Sequence, residues 1–258
     1  MAPGRIESVG RGSEPVRSAR ALRQRSERQV RSEFLAEGEK LVRDAIHLGA
    51  VPRAVYARRT PLDGGTLDTL IQALPSECRL YSVEDRVFDS MCDTRTPGAV
   101  AAVFSLPPRR PAAPGLALLL DGLQDPGNVG TMIRSAAACG AVSEVLCLGG
   151  ADPFGPKAVR AAAAAIFVLS PTIIEPSGLP RLSDRRVIVA SAHDGKAYQT
   201  FAWRLDDVLV IGSEGSGESA AIRAIATDRV TIPLAPGVES LNAAIAASIL
   251  LFSVTRHK

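Results

Sequence analysis

Apolar and polar positions along this chain fall into blocks that switch between the periods of strand and helix. In the second half, short near-continuous apolar runs at 116–120, 142–148, 167–169, 186–192, 208–212 and 230–232 read as strands. Stretches with helical spacing at 129–139, 157–166, 219–227 and 241–256 lie among them. Strands that are apolar on both sides and separated by helices predict a parallel sheet covered on both faces. The first half is patchier. Residues 14–32 read as a basic helix with Val16, Leu22 and Val30 as its few apolar positions. A strand at 34–38 ends in a glycine turn, and a helix at 39–48 runs through Leu41, Val42, Ala45 and Ile46 until Gly49 stops it. A strand at 55–57, a helix at 67–74 and a strand at 99–106 complete a small α/β domain. Between the halves, residues 107–115 hold Pro107, Pro108, Pro111 and Pro114. Proline fixes φ and removes a donor, so this stretch reads as a semi-rigid connector. The expected organisation is therefore a domain at 1–106, a linker at 107–115 and a second domain at 116–258.

Charge sharpens the contrast between the halves. The 258-residue chain carries a net charge of only +3, yet its first 31 residues hold eight arginines against Glu7, Glu14 and Glu27. Such a bias suits a polyanionic partner, because each phosphate neutralised releases counterions. The four cysteines form no C-x-x-C pair, and the three histidines lie far from them in sequence, which argues against a zinc site and against a disulfide scaffold. Reduced, buried thiols are the expectation. No apolar run is long enough to span a bilayer, and the N-terminus lacks a signal-peptide pattern, so the expected setting is soluble and cytoplasmic, with no membrane and no metal.

Three segments of the second half carry candidate chemistry. Asp125-Pro126-Gly127-Asn128 opens the helix that follows the first strand, and Arg134 lies six residues beyond Asn128. Ligands of open α/β sheets bind beyond the carboxyl ends of strands, and an arginine there can fork onto phosphate oxygens. Ile211-Gly212-Ser213-Glu214-Gly215-Ser216-Gly217 is a strand feeding a glycine loop, where the backbone can approach a ligand closely. No G-K-[ST] follows, so it is not a Walker A loop. It also comes too late in the chain for a dinucleotide fingerprint. Finally, Ile232-Pro233-Leu234 leads to Ser240-Leu241-Asn242, with Glu214 26 residues before Ser240. Taken singly, each has a plainer role: Asn128 and Ser240 as helix N-caps, Glu214 as a turn carboxylate, Arg134 as a surface residue.

Together and in this order, the three segments resemble the signature motifs of the SpoU (TrmH-like) family of SPOUT RNA 2′-O-ribose methyltransferases. The resemblance implies a C-terminal parallel-sheet domain with a trefoil knot that binds S-adenosyl-L-methionine. It implies catalytic or site roles for Arg134, Asn128, Glu214, Ser240 and Asn242, and cofactor contacts at Gly212, Ile232 and Leu241. The run 34–57 is similar to the small substrate-binding domain of that family, itself like kink-turn-binding ribosomal proteins. The implied partner is RNA, with ribosomal RNA favoured over transfer RNA, and the implied assembly is a homodimer. One departure is Ala161–Ala165, where many relatives carry a Ser/Gly-containing segment. Two rival readings are a non-catalytic RNA-binding module and an unrelated nucleotide-binding enzyme.

Overall fold

The computed structural model describes residues 6–59, 72–75, 77–108, 114–182 and 184–254. The chain divides into two compact units: Met1–Pro108 with Phe154–Phe167, and Arg109–Pro153 with Val168–Lys258.

The first unit is built on a mixed five-stranded sheet of β1 (Glu7–Val9), β2 (Glu33–Glu37), β3 (Ala54–Arg58), β4 (Arg79–Val83) and β5 (Val100–Ser105), in the order β1-β4-β3-β5-β2. β4 pairs in parallel with β1 and β3, while β5 runs antiparallel to β2 and β3. Alternation sorts side chains to the two faces. Leu35, Tyr56, Tyr81 and Val103 share a core with Val16, Ala19 and Leu22 and with Val87, Phe88 and Met91 of α4 (Asp85–Met91). Phe34, next to Leu35, instead meets the rings of Phe104, Phe154 and Phe167.

The expected basic helix at 14–32 is two helices, α1 (Glu14–Ala21) and α2 (Arg25–Arg31). The break has a local cause in a side chain. Buried Arg28 turns back, and its Nη1 donates to the carbonyls of Leu22 and Arg23 at 2.7 and 2.9 Å, satisfying acceptors that end α1. α3 (Glu39–His47) forms as its spacing predicts. β1, β4 and α4 were not expected. The helix expected at 67–74 lies largely outside the described residues.

The second unit carries a seven-stranded, all-parallel sheet in the order β10-β12-β9-β11-β6-β7-β8. Its strands are β6 (Leu116–Asp121), β7 (Val142–Leu148), β8 (Thr172–Ile174), β9 (Val187–Ser191), β10 (Lys196–Ala197), β11 (Val208–Ile211) and β12 (Asp228–Thr231). Every residue of β6 and β11 is buried, as strands covered on both faces require. α5 (Pro126–Cys139) follows β6. Asp125 caps it by accepting from Gly127 N at 2.5 Å, Pro126 sits at its first turn, and Gly140 ends it at φ 68°.

Three local expectations are corrected. Residues 167–169 are not a strand: Ala165–Val168 is a helical turn (α7), and the strand comes after Pro171 at Thr172–Ile174. Phe167 is held at 4.8 Å from the ring of Phe104, whereas the β-branched Thr172, Ile173 and Ile174 suit the edge of the sheet. The helix expected at 157–166 stops as α6 (Pro156–Ala162), because Ala163 takes φ 51° and ψ −146°, which no α-helix accommodates. The helix expected at 219–227 is only the short α8 (Ala220–Arg223).

The closing helix α9 (Ala243–Val254) packs Ala247, Leu250 and Leu251 inward, and Ser248 Oγ meets Ser135 Oγ of α5 at 2.8 Å. Its N-cap is Asn242 rather than Ser240. Asn242 Oδ1 accepts from Ala244 N at 2.9 Å and Ile245 N at 3.3 Å, while Ser240 is exposed.

Candidate active site

The carboxyl ends of β6, β11 and β12 lead into the three segments singled out above, and side chains from all three meet. Asn242 Nδ2 donates to Asn128 Oδ1 at 3.2 Å, and Asn128 Nδ2 donates to Glu214 Oε1 at 2.6 Å. Because Asn242 Oδ1 already accepts from helix α9, the whole relay has one direction. Donors run from the α9 backbone through two amides to a carboxylate. Each amide keeps an N–H to spare, and Glu214, exposed to solvent, keeps most of its acceptor capacity. The site thus offers both donors and an anionic acceptor to a polar ligand.

The glycine loop is held tightly. Ser213 and Gly217 exchange backbone hydrogen bonds at 3.0 and 2.9 Å. A Cβ on Gly212 would lie 2.5 Å from the carbonyl carbon of Gly217 and 2.6 Å from Glu218 N, so only glycine lets the strand pass there. At the far end of the loop, Asp121 Oδ2 accepts from Ser219 N at 2.5 Å. Asp121 is 3% exposed. The segment that supplies Asn128 to one side of the loop therefore supplies a buried carboxylate to the other.

Glu218 anchors the same loop to β12. It accepts from Arg229 Nη2 at 2.6 Å and from Arg223 Nε at 3.3 Å, and Arg229 Nε lies 3.5 Å from Asp194. Burial pushes the Glu218 carboxyl up, but the hydrogen bond from Arg229, helped by backbone and Arg223 donors, outweighs it and holds the group below its ordinary value. The hydrogen bond to Glu218 likewise raises the Arg229 guanidinium. Sequence reading passed over this pair and over the role of Asp121. The available signal was a carboxylate closing an otherwise apolar strand.

The other expected residues are placed differently. Arg134 is exposed on α5, about 120° around the helix from Asn128, and joins neither the relay nor any ion pair among the described residues. Ser240 is exposed, whereas Ile232 and Leu241 are half-buried. No group of three or more His, Cys, Asp or Glu able to hold a metal occurs among the described residues, and none of their helices is long and apolar enough to cross a membrane. Cys78, Cys92, Cys139 and Cys147 are free and buried.

The fold matches those of solved RNA methyltransferases. An AdoMet-bound rRNA methyltransferase from Sinorhizobium meliloti superposes with a TM-score of 0.82 at 27% identity, covering 98% of each chain. Residues 115–252 match the SpoU rRNA Methylase family, and residues 13–102 match the MRM3-like substrate binding domain. The chain belongs to the SpoU rRNA methylase family. A 23S rRNA (guanosine(2553)-2′-O)-methyltransferase of Bacillus subtilis is 32% identical, across 93% of this chain and 95% of that protein. A 23S rRNA (uridine(2479)-2′-O)-methyltransferase of Streptomyces viridochromogenes is 29% identical, across 92% and 87%.

Proposed function

We propose that the protein transfers a methyl group from S-adenosyl-L-methionine to a ribose 2′-hydroxyl of ribosomal RNA. The observation that carries this reading is the relay Glu214–Asn128–Asn242, which joins residues of all three motif segments. The cofactor fits the chemistry of the surrounding loops: half-buried Ile232 and Leu241 offer apolar contact, and the close-packed turn at Gly212 offers backbone polar groups. When bound, it supplies a methyl already activated on a sulfonium. What remains for the chain is alignment and charge.

In this reading Asn128, Glu214 and Asn242 orient the donor and the ribose, with Ser240 adding a hydroxyl nearby. Arg134, exposed and without an ion pair among the described residues, grips the substrate. A guanidinium stays protonated at neutral pH, so Arg134 orients the attacking hydroxyl and stabilises its developing oxyanion, while a substrate phosphate or a water accepts the proton. Residues 116–258 hold this chemistry and residues 1–106 present the RNA.

The remaining parts of the reading are a trefoil knot around the cofactor, a cytoplasmic setting and a homodimer. Ile245 and Phe252, 54% and 47% exposed and seven residues apart on α9, provide an apolar stripe for the dimer contact.

The test is transfer from labelled cofactor into total RNA followed by nuclease mapping, wild type beside Arg134→Ala. We expect label in one 2′-O-methyl nucleotide of ribosomal RNA, reduced about 10²–10³-fold by the substitution while cofactor binding persists. Label in transfer RNA would move the substrate. Failure to bind the cofactor at all would sink the reading.

A further inference from the structure

In the first unit, β1–α1 and β4–α4 are two strand–turn–helix elements laid side by side. β1 and β4 pair in parallel, with Glu7 opposite Tyr81 and Val9 opposite Val83. Their helices keep step. Arg20 Nη2 donates to Ser90 Oγ at 2.5 Å, an offset of 70 residues, and Arg23, 3.8 Å from Asp93, keeps the same offset. Carried one turn back, it sets Arg17 level with Val87, beside Arg86. Both arginines are exposed, and neither side chain has a hydrogen bond or ion pair among the described residues. Arg11, in the turn before α1, is exposed and unengaged as well.

Most carboxylates near this face are paired with cations. Arg58 pairs with Asp85 and Asp89, Arg59 with Glu84 at 3.3 Å, and Arg23 and Arg160 share Asp93. Glu14 accepts from Ser18 Oγ at 2.6 Å. Other arginines of the basic N-terminus are structural, Arg28 as the brace between α1 and α2 and Arg20 as a tie to α4. The surplus positive charge of the segment is thereby concentrated on a few groups.

We propose that Arg17 and Arg86, with Arg11, form a rail on the α1–α4 face that contacts the phosphate backbone of the RNA substrate. Each charge neutralised there releases counterions, and guanidinium groups fork onto phosphate oxygens. This rests on the RNA-methyltransferase reading above and adds where the substrate-binding unit takes hold.

The test measures binding of the full chain to in vitro transcribed 23S rRNA between 50 and 200 mM KCl, with roughly that range chosen because phosphate contacts respond steeply in it. Arg17→Gln/Arg86→Gln should weaken binding roughly tenfold and flatten the slope of log affinity against log salt by about 1.5. Lys40→Gln/Arg204→Gln, with the same change of net charge at exposed positions elsewhere, should leave the slope alone. Cofactor binding by calorimetry should be equal in all three proteins. A wild-type slope in the rail variant overturns this proposal alone. Absence of salt-dependent RNA binding by the wild type overturns the functional reading with it. Equal competition by polyglutamate would replace RNA with an acidic protein partner.

Discussion

Glu37 in the first unit and Glu214 in the second are both held by hydrogen bonds at the end of a strand, and they do opposite work. Glu37, at the end of β2, has a side chain 4% exposed. It accepts from Asp93 N at 2.8 Å, Thr94 Oγ1 at 3.2 Å and Arg160 Nη1 at 3.5 Å. A carboxylate so surrounded has repaid its burial and has little left to offer a ligand. Glu214 is exposed and takes one donor, Asn128, at 2.6 Å. Asp121 stands between them, buried like Glu37 but tied to the glycine loop that carries Glu214. Spare acceptor capacity beside solvent marks a carboxylate for chemistry; saturation in the interior marks one for the scaffold.

Substitutions separate the two kinds. Glu37→Ala leaves a main-chain N–H, a hydroxyl and part of a guanidinium without their acceptor, and should destabilise the protein by about 2–4 kcal/mol in denaturant or thermal unfolding. Transfer by the fraction still folded should stay near wild type; a specific loss of turnover with unchanged stability would break the comparison. Asp121→Ala frees the far end of the loop. We expect a cofactor KM raised about tenfold with kcat within about threefold, near the lower end of the about 1.5–3 kcal/mol of one hydrogen bond to a charged acceptor. Asp121→Asn, which keeps an acceptor for Ser219 N, should recover most of that affinity. An equal fall in kcat would instead place Asp121 with the reacting groups.

The parallel sheet was legible because strands buried on both faces are apolar along nearly their whole length, as β11 is and as β6 is up to its closing Asp121. The meeting of Asn128, Glu214 and Asn242 was legible only as motifs, since nothing in periodicity brings residues 128 and 214 together. Where reading failed, particular side-chain contacts decided. Arg28 broke a helix by reaching back to Leu22 and Arg23, and the ring of Phe104 helped to hold Phe167 out of a strand. Ser240 and Asn242 are equally good capping types. Asn242 is chosen where its amide can also reach Asn128. β1 escaped notice because Glu7-Ser8-Val9 is an edge strand with one buried residue.

Glu214→Gln is the finer cut. It keeps size and one acceptor oxygen but removes the charge that draws the Asn128 donor, so stability should stay within about 0.5 kcal/mol of wild type, as for most exposed positions. Transfer should fall about tenfold, the equivalent of about 1.4 kcal/mol. A variant as active as wild type would reduce Glu214 to an ordinary turn residue.

The response to alkali compares the two units as wholes. Burial pushes the thiols of Cys78 and Cys92, in the first unit, from an ordinary value near 9 up to about 11 and about 12, with Glu77 and Glu37 adding to the respective shifts. Cys147, in the second unit, rises by burial to about 12, with Asp152 adding to it. Each folded thiol holds its proton more tightly than its unfolded counterpart. The stabilisation is therefore fully present below pH 9 and is lost as pH rises through about 9 towards the folded value. By pH 10 the loss is about 1.4 kcal/mol per thiol. The first unit holds two such groups against one, so it should soften about twice as steeply between pH 9 and 10. Hydrogen exchange resolved by unit would read this directly, and Cys92→Ala should bring the two slopes together. Equal slopes in the wild-type protein would mean that these thiols ionise alike in the folded and unfolded states, and that their burial is looser than the packing around Cys92 and Cys147 requires.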